Sequence, residues 1–185
     1  MSTLIATPGQ TIGPFFGYAL PFDGDNQLVP PGSPGAIRLH GLVTDGAGAP
    51  VPDALLEIWQ ADADGVVPTA TGSLHRDGAT FTGWGRASTD RDGRYRFITV
   101  KPGVTEGVPA PFFAMTVFAR GLLNRLFTRA YLPGEHLNAE PLLGSLPDAR
   151  RDTMIAVTDQ QGLRFDIRLQ GDGETVFLRF PGHRR

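Results

Sequence analysis

The chain has 185 residues, 41% of them hydrophobic, enough for one domain that buries roughly 70% of its unfolded surface. A net charge of −2 and a pI near 6.1 give no bulk attraction for nucleic acid or an anionic membrane. The absence of cysteine excludes disulfides, thiolate metal sites and thiol nucleophiles, and 24 Gly with 16 Pro point to turns rather than long helices.

Residues 1–36 carry Pro8, Pro14, Pro21, Pro30, Pro31 and Pro34 among six glycines. Proline removes donors and fixes φ, so this segment predicts neither a regular helix nor a ladder. It lacks a basic start followed by an unbroken apolar core, so a signal peptide or membrane span is not expected, and the chain reads as soluble and cytoplasmic. Ile12, Phe15, Phe16, Tyr18, Leu20 and Phe22 are too apolar for a disordered tail. The segment reads as an extended arm, packed either on its own domain or on a partner.

Short strands with turns between them follow. Ile37 to Thr44 is a β-branched run closed by Asp45-Gly46-Ala47-Gly48, and Ala54 to Gln60 ends in Ala61-Asp62-Ala63-Asp64-Gly65. Arg94 to Val100 alternates Tyr95, Phe97 and Thr99 against Arg96, Ile98 and Val100. Phe112 to Phe118 and Arg125 to Leu132 form a further pair. Leu163, Phe165, Ile167 and Leu169 point inward against Arg164, Asp166 and Arg168, and Glu174 to Phe180 closes the set. Residues 136–152 alone read as helical, in one or two short turns. The pattern predicts an all-β chain folded as a β-sandwich.

No residue set forms a complete catalytic site. His40, His75, His136 and His183 are too far apart in sequence for a local metal pair. His40 reads as a surface or edge residue, His183 as part of a charged tail, and the other two as loop residues. There is no G-x-S-x-G elbow, P-loop or GxGxxG, and a turn explains Asp62 and Asp64 at least as well as paired catalysis does.

Several motifs nonetheless stand together in order. Thr7-Pro8-Gly9-Gln10-Thr11-Ile12-Gly13-Pro14-Phe15-Phe16, Leu56-Glu57-Ile58-Trp59-Gln60-Ala61-Asp62-Ala63-Asp64-Gly65, Asp92-Gly93-Arg94-Tyr95-Arg96-Phe97 and Thr99-Val100-Lys101-Pro102-Gly103 resemble those of intradiol ring-cleavage dioxygenases. Phe118-Ala119-Arg120-Gly121 and Arg164-Phe165-Asp166-Ile167-Arg168-Leu169-Gln170-Gly171 resemble the α-type chain of the family's two-chain members. The resemblance implies the prealbumin-like sandwich of that family, with residues 1–36 as an arm packing on the partner chain and 37–185 as the domain. Metal-bearing members hold Fe(III) with two tyrosinates and two histidines. Here the ligand-equivalent positions read Val67, Thr105, Phe112 and Ala114, so the resemblance implies a chain with no catalytic or metal residue of its own.

It further implies that Fe(III) sits on a homologous iron-binding β subunit, that αβ protomers assemble into a higher-order oligomer, and that 3,4-dihydroxybenzoate is cleaved with O2. From this chain, Thr11, Gly13, Pro14 and Arg120 would line the pocket, the arginine facing the substrate carboxylate. A strand-end arginine in a structural ion pair is the alternative for Arg120. Two other readings of the whole chain stand beside this one: a non-catalytic β-sandwich binding module, and a stand-alone dioxygenase with unusual ligands.

Overall fold

Side chains alternating with period two build two sheets that bury their apolar faces against each other. The computed structural model describes residue 13, residues 16–69 and residues 76–181. In the first sheet the order is β4-β1-β8-β7. Here β1 is Ala36–Thr44 and β4 is Arg94–Val100, while β7 (Val157–Asp159) and β8 (Gly162–Arg164) form a hairpin. Strands β1 and β4 pair antiparallel from Ala36↔Val100 to Leu42↔Arg94, whereas β8 and β9 (Ile167–Arg168) run parallel to β1. The second sheet, β3-β2-β5-β6, is antiparallel throughout and comprises β3 (Trp84–Ser88), β2 (Leu55–Trp59), β5 (Phe112–Phe118) and β6 (Leu126–Tyr131).

Leu39, Val43, Tyr95 and Phe97 from the first sheet meet Leu56, Ile58, Phe113, Met115 and Val117 from the second in one core. Each large side chain buried there contributes about 1.5–3 kcal/mol. A smaller cluster, including Tyr131, Leu137, Leu143 and Met154, lies under the helical turns. These are four rather than one or two: Glu135–Ala139, α2 (Pro141–Gly144), α3 (Asp148–Arg151) and Asp152–Met154.

The arm departs from its expected irregularity by one helical turn, α1 (Phe16–Ala19). Its later half lies on its own sandwich. Leu28 is buried, its N–H donates to the Ile98 carbonyl at 2.8 Å, and the Arg86 N–H donates to the Asp25 carbonyl at 2.8 Å. The segment therefore bridges the open edges of β4 and β3. That edge contains a strand the sequence hid: Gly85, flanked by other turn-like residues, stands in β3 because a Cβ there would meet Leu28 Cδ1 at 2.4 Å.

The run expected over 163–169 keeps its inward alternation at Leu163, Phe165 and Ile167, but breaks between β8 and β9. At the break the Phe165 N–H donates to the His40 carbonyl, the Phe165 carbonyl accepts from the Tyr95 hydroxyl, and the Leu42 N–H donates to Asp166 Oδ1 at 3.0 Å. Gly41 makes room, since a Cβ there would lie 1.9 Å from the Phe165 carbonyl oxygen. The expected final strand from Glu174 to Phe180 reduces to one bridge, Leu178 to Phe127. His40 is no edge residue: it stands on central β1, with Nε2 3.1 Å from Asp159 Oδ1.

Gly41→Ala should cost about 3 kcal/mol or more, because the neighbour it meets is backbone rather than a movable side chain; urea unfolding of the full chain measures this. A second outcome concerns Asp25. Burial pushes its carboxyl above the ordinary carboxylate range, against the opposing hydrogen bonds of the Phe22 and Asn26 N–H groups and the charges of Arg86 and Arg76. The folded state thus holds this proton more tightly than the unfolded state. The associated stability is complete below the unfolded value and lost as pH rises through the folded one. Asp25→Asn should therefore raise Tm relative to the parent at neutral pH, and the gain should shrink on acidification below the carboxylate range.

Candidate functional site at the two ends of strand β5

The loop after β2 turns because the Asp62 carboxylate accepts from the N–H groups of Asp64 at 3.0 Å and Val66 at 2.8 Å. Asp62 is thus a turn-former, not half of a catalytic carboxylate pair. Its carbonyl also accepts from the Gly103 N–H at 2.7 Å, which ties this loop to the one after β4. Gly65, at φ +86°, permits the contact, since a Cβ there would lie 2.0 Å from the Val104 carbonyl oxygen.

The locked loops bring Val67 and Thr105 over the start of β5, where Phe112 and Ala114 stand. With Trp59, Gln60, Ala61 and Gly103 these four line a single cavity of about 150 Å³. The structure therefore brings together all four ligand-equivalent positions. Trp59, Val66, Val67 and Val104 leave an exposed apolar rim around it.

The lining does not fit a ferric ion. Val67, Phe112 and Ala114 offer only hydrocarbon, and Thr105 offers one neutral hydroxyl where hard anionic donors are needed. Gln60 is committed elsewhere: its Nε2 donates to the Ala61 and Val100 carbonyls at 2.9 and 3.0 Å, and its Oε1 accepts from the Thr99 hydroxyl. Among the described residues no group of three or more His, Cys, Asp or Glu is placed to hold a metal. His136 is exposed on the helical turns, and His75 and His183 lie outside the described residues. Burial pushes the phenol of Tyr95 well above its ordinary range, and that of Tyr131 up against the opposing Arg129 hydrogen bond, the reverse of what a tyrosinate ligand needs.

At the far end of β5, roughly 20 Å along the strand direction, Arg120 follows the buried Ala119. Its side chain is 55% exposed, and its Nε lies 3.0 Å from Asp53 Oδ2. Asp53, in the turn before β2, has φ +60° and is the one non-glycine among the described residues with positive φ. Such a conformation costs on the order of 1–3 kcal/mol. Its Oδ1 is buried with no hydrogen-bond partner among the described residues. A Cβ on Gly17 of α1 would lie 3.4 Å from the Asp53 Cβ, so the arm's helical turn borders the same residue. Gly13 is exposed with open space around it, and Thr11 and Pro14 lie outside the described residues. Sequence reasoning singled out Arg120 and missed Asp53, whose one signal was the turn dipeptide Pro52-Asp53.

The fold is thus a two-sheet sandwich with a small pocket between its inter-strand loops, an architecture whose function must be read from its relatives. A family model described as "Dioxygenase" matches residues 12–171, and the chain belongs to this intradiol dioxygenase family. It is 39% identical over 197 residues to the protocatechuate 3,4-dioxygenase alpha chain of Burkholderia cepacia, covering 96% of this chain and 99% of that one. To the beta chain of the same organism's enzyme it is 35% identical over 160 residues, covering 77% of this chain and 68% of the other. Among solved structures it is similar to the dioxygenase domain of a dioxygenase–carbohydrate-binding protein fusion from Streptomyces sp. SirexAA-E. That similarity has a TM-score of 0.59 and 26% identity, covering 89% of this chain and 98% of the other.

The donor-poor cavity carries a direct expectation. The full chain, purified without a companion and exposed to Fe(III), should show no tyrosinate-to-iron absorption band and retain no stoichiometric iron after gel filtration. A coloured complex would contradict it.

Proposed function

We propose that this chain is the α-type subunit of a two-chain intradiol dioxygenase that opens the ring of protocatechuate with O2 to give 3-carboxy-cis,cis-muconate. The iron would sit on a homologous β subunit, and αβ protomers would assemble further. Similarity to an alpha chain over nearly the full length, with weaker similarity to a beta chain, supports the pairing. The unsuitability of the cavity lining for ferric ion supports iron on the partner. The exposed apolar rim of Trp59, Val66, Val67 and Val104 is surface that a partner would cover.

In this reading the chain contributes binding and orientation rather than electron transfer. Arg120 is the carrying observation: an always-charged planar donor, more than half exposed and held at the end of a rigid strand beside the arm's turn. Its free N–H groups match the ring carboxylate of protocatechuate. Thr11, Gly13 and Pro14 would complete the wall from the arm, Gly13 and Pro14 through close backbone approach and Thr11 through its hydroxyl. The first part of the arm would reach the partner, while residues from Pro21 onward stay on their own sandwich.

Arg120→Ala in the assembled complex should raise KM for protocatechuate about thirty-fold or more, corresponding to a contact on the order of 2 kcal/mol. KM for catechol, which lacks the carboxylate, should hardly move. Steady-state oxygen uptake with both substrates checks this, and equal loss on both would refute the carboxylate-binding role.

A further inference from the structure

We infer that Asp53 is a positioning residue for Arg120, fixing the guanidinium so that its outer edge faces the carboxylate of the aromatic acid; this rests on the reading of Arg120 just given. The pairing is built by the sheet. Leu55 lies opposite Phe118 at the limit of the β2–β5 ladder, and the turns just beyond the two strand ends bring Asp53 beside Arg120. The contact uses the Nε of Arg120, at 3.0 Å from Asp53 Oδ2. A guanidinium carries five N–H donors in a planar fork, and engagement at Nε leaves the Nη pair available for end-on, bidentate contact with a second carboxylate.

Three features separate this contact from an ordinary surface ion pair. Asp53 holds a left-handed backbone where glycine or asparagine usually stands. Its second oxygen is withdrawn from solvent without a partner among the described residues. The arm's turn packs against its Cβ. Asp53 is therefore tied to the fold and to the arm, while the arginine it holds remains 55% exposed.

A free arginine would lose the rotamer freedom of its long side chain each time it took up an anion, and an anchored one has already lost it. The negative charge of Asp53 acts in the opposite direction, repelling the incoming carboxylate. That repulsion runs across the whole guanidinium, at a longer distance than either charge-paired contact, and through a solvent-screened surface. Orientation outweighs it.

The test uses the assembled αβ complex and two variants that tolerate positive φ, so that backbone strain is not added. Asp53→Gly removes the carboxylate altogether, and Asp53→Asn keeps its shape without its charge. KM for protocatechuate should rise about ten-fold in the glycine variant and by a smaller factor in the asparagine variant. KM for catechol and kcat on either substrate should stay at parent values. Combining Asp53→Gly with Arg120→Ala should be no worse than Arg120→Ala alone. If Arg120→Ala is selective for protocatechuate while both Asp53 variants match the parent, the positioning role falls and the reading of Arg120 stands. If Arg120→Ala impairs both substrates equally, that reading falls and takes this inference with it. A rise in KM for catechol in the Asp53 variants, equal to that for protocatechuate, would reduce Asp53 to a structural residue and overturn the inference.

Discussion

The pairing register of β2 with β5 is the constraint on which both candidate regions depend. Leu55↔Phe118 and Trp59↔Ala114 are its limits; Met115 and Val117 between them, and Phe113 just beyond, are buried in the core. A slip of one residue would turn that entire set to solvent, so the register is fixed by burial rather than by the few polar groups near it. At one end it sets Trp59 beside Ala114 and so forms a wall of the donor-poor cavity. At the other it ends next to the turns that hold Asp53 and Arg120 side by side. Both regions border the same buried strand, and the loops and turns beside it complete them.

The turns of the sandwich, that of Asp62 beside the cavity among them, are held by a different device. Aspartates at the starts of turns accept backbone N–H groups two to four residues on, as Asp45 does from Ala47 and Ala49, Asp62 from Asp64 and Val66, and Asp90 from Asp92 and Arg94. One oxygen of each carboxylate is thus used in satisfying the backbone of its own turn.

The strands that were legible in the sequence were those in which alternation alone decides the outcome. Arg94–Val100 and Phe112–Phe118 appear with the expected bounds because every second residue is apolar and no glycine interrupts them. Trp84–Ser88 was illegible because Gly85 reads locally as a loop residue. Its real role is to admit Leu28 from a segment 57 positions earlier, a tertiary reason that no short window contains. The break at Phe165 depends likewise on Gly41 and on the Tyr95 hydroxyl, both distant in sequence. Of the candidate site, the missing donors at Val67, Thr105, Phe112 and Ala114 could be named from motifs, but their convergence on one cavity could not. It comes from a backbone contact between two loops. Asp53 was least legible of all, because its importance lies in a dihedral angle and a register.

The two ends of β5 differ in how much unfavourable physics the fold tolerates there. At the cavity end the lining is hydrocarbon apart from the neutral Thr105 hydroxyl and Gln60, whose amide has its hydrogen bonds made within the core. That end needs no metal to be stable, since no charge is buried and no donor waits for a cation. The Arg120 end is different: it holds a residue at positive φ, a carboxylate oxygen removed from water without a partner among the described residues, and a long cationic side chain kept largely in solvent. A sandwich built only for stability would relax these features, for instance with glycine at position 53. Local strain persists where the surrounding structure over-determines it, and such positions cluster where geometry is used for binding. The asymmetry along a single strand thus sets the end proposed to bind the carboxylate, where strain is kept, apart from a cavity end that carries none.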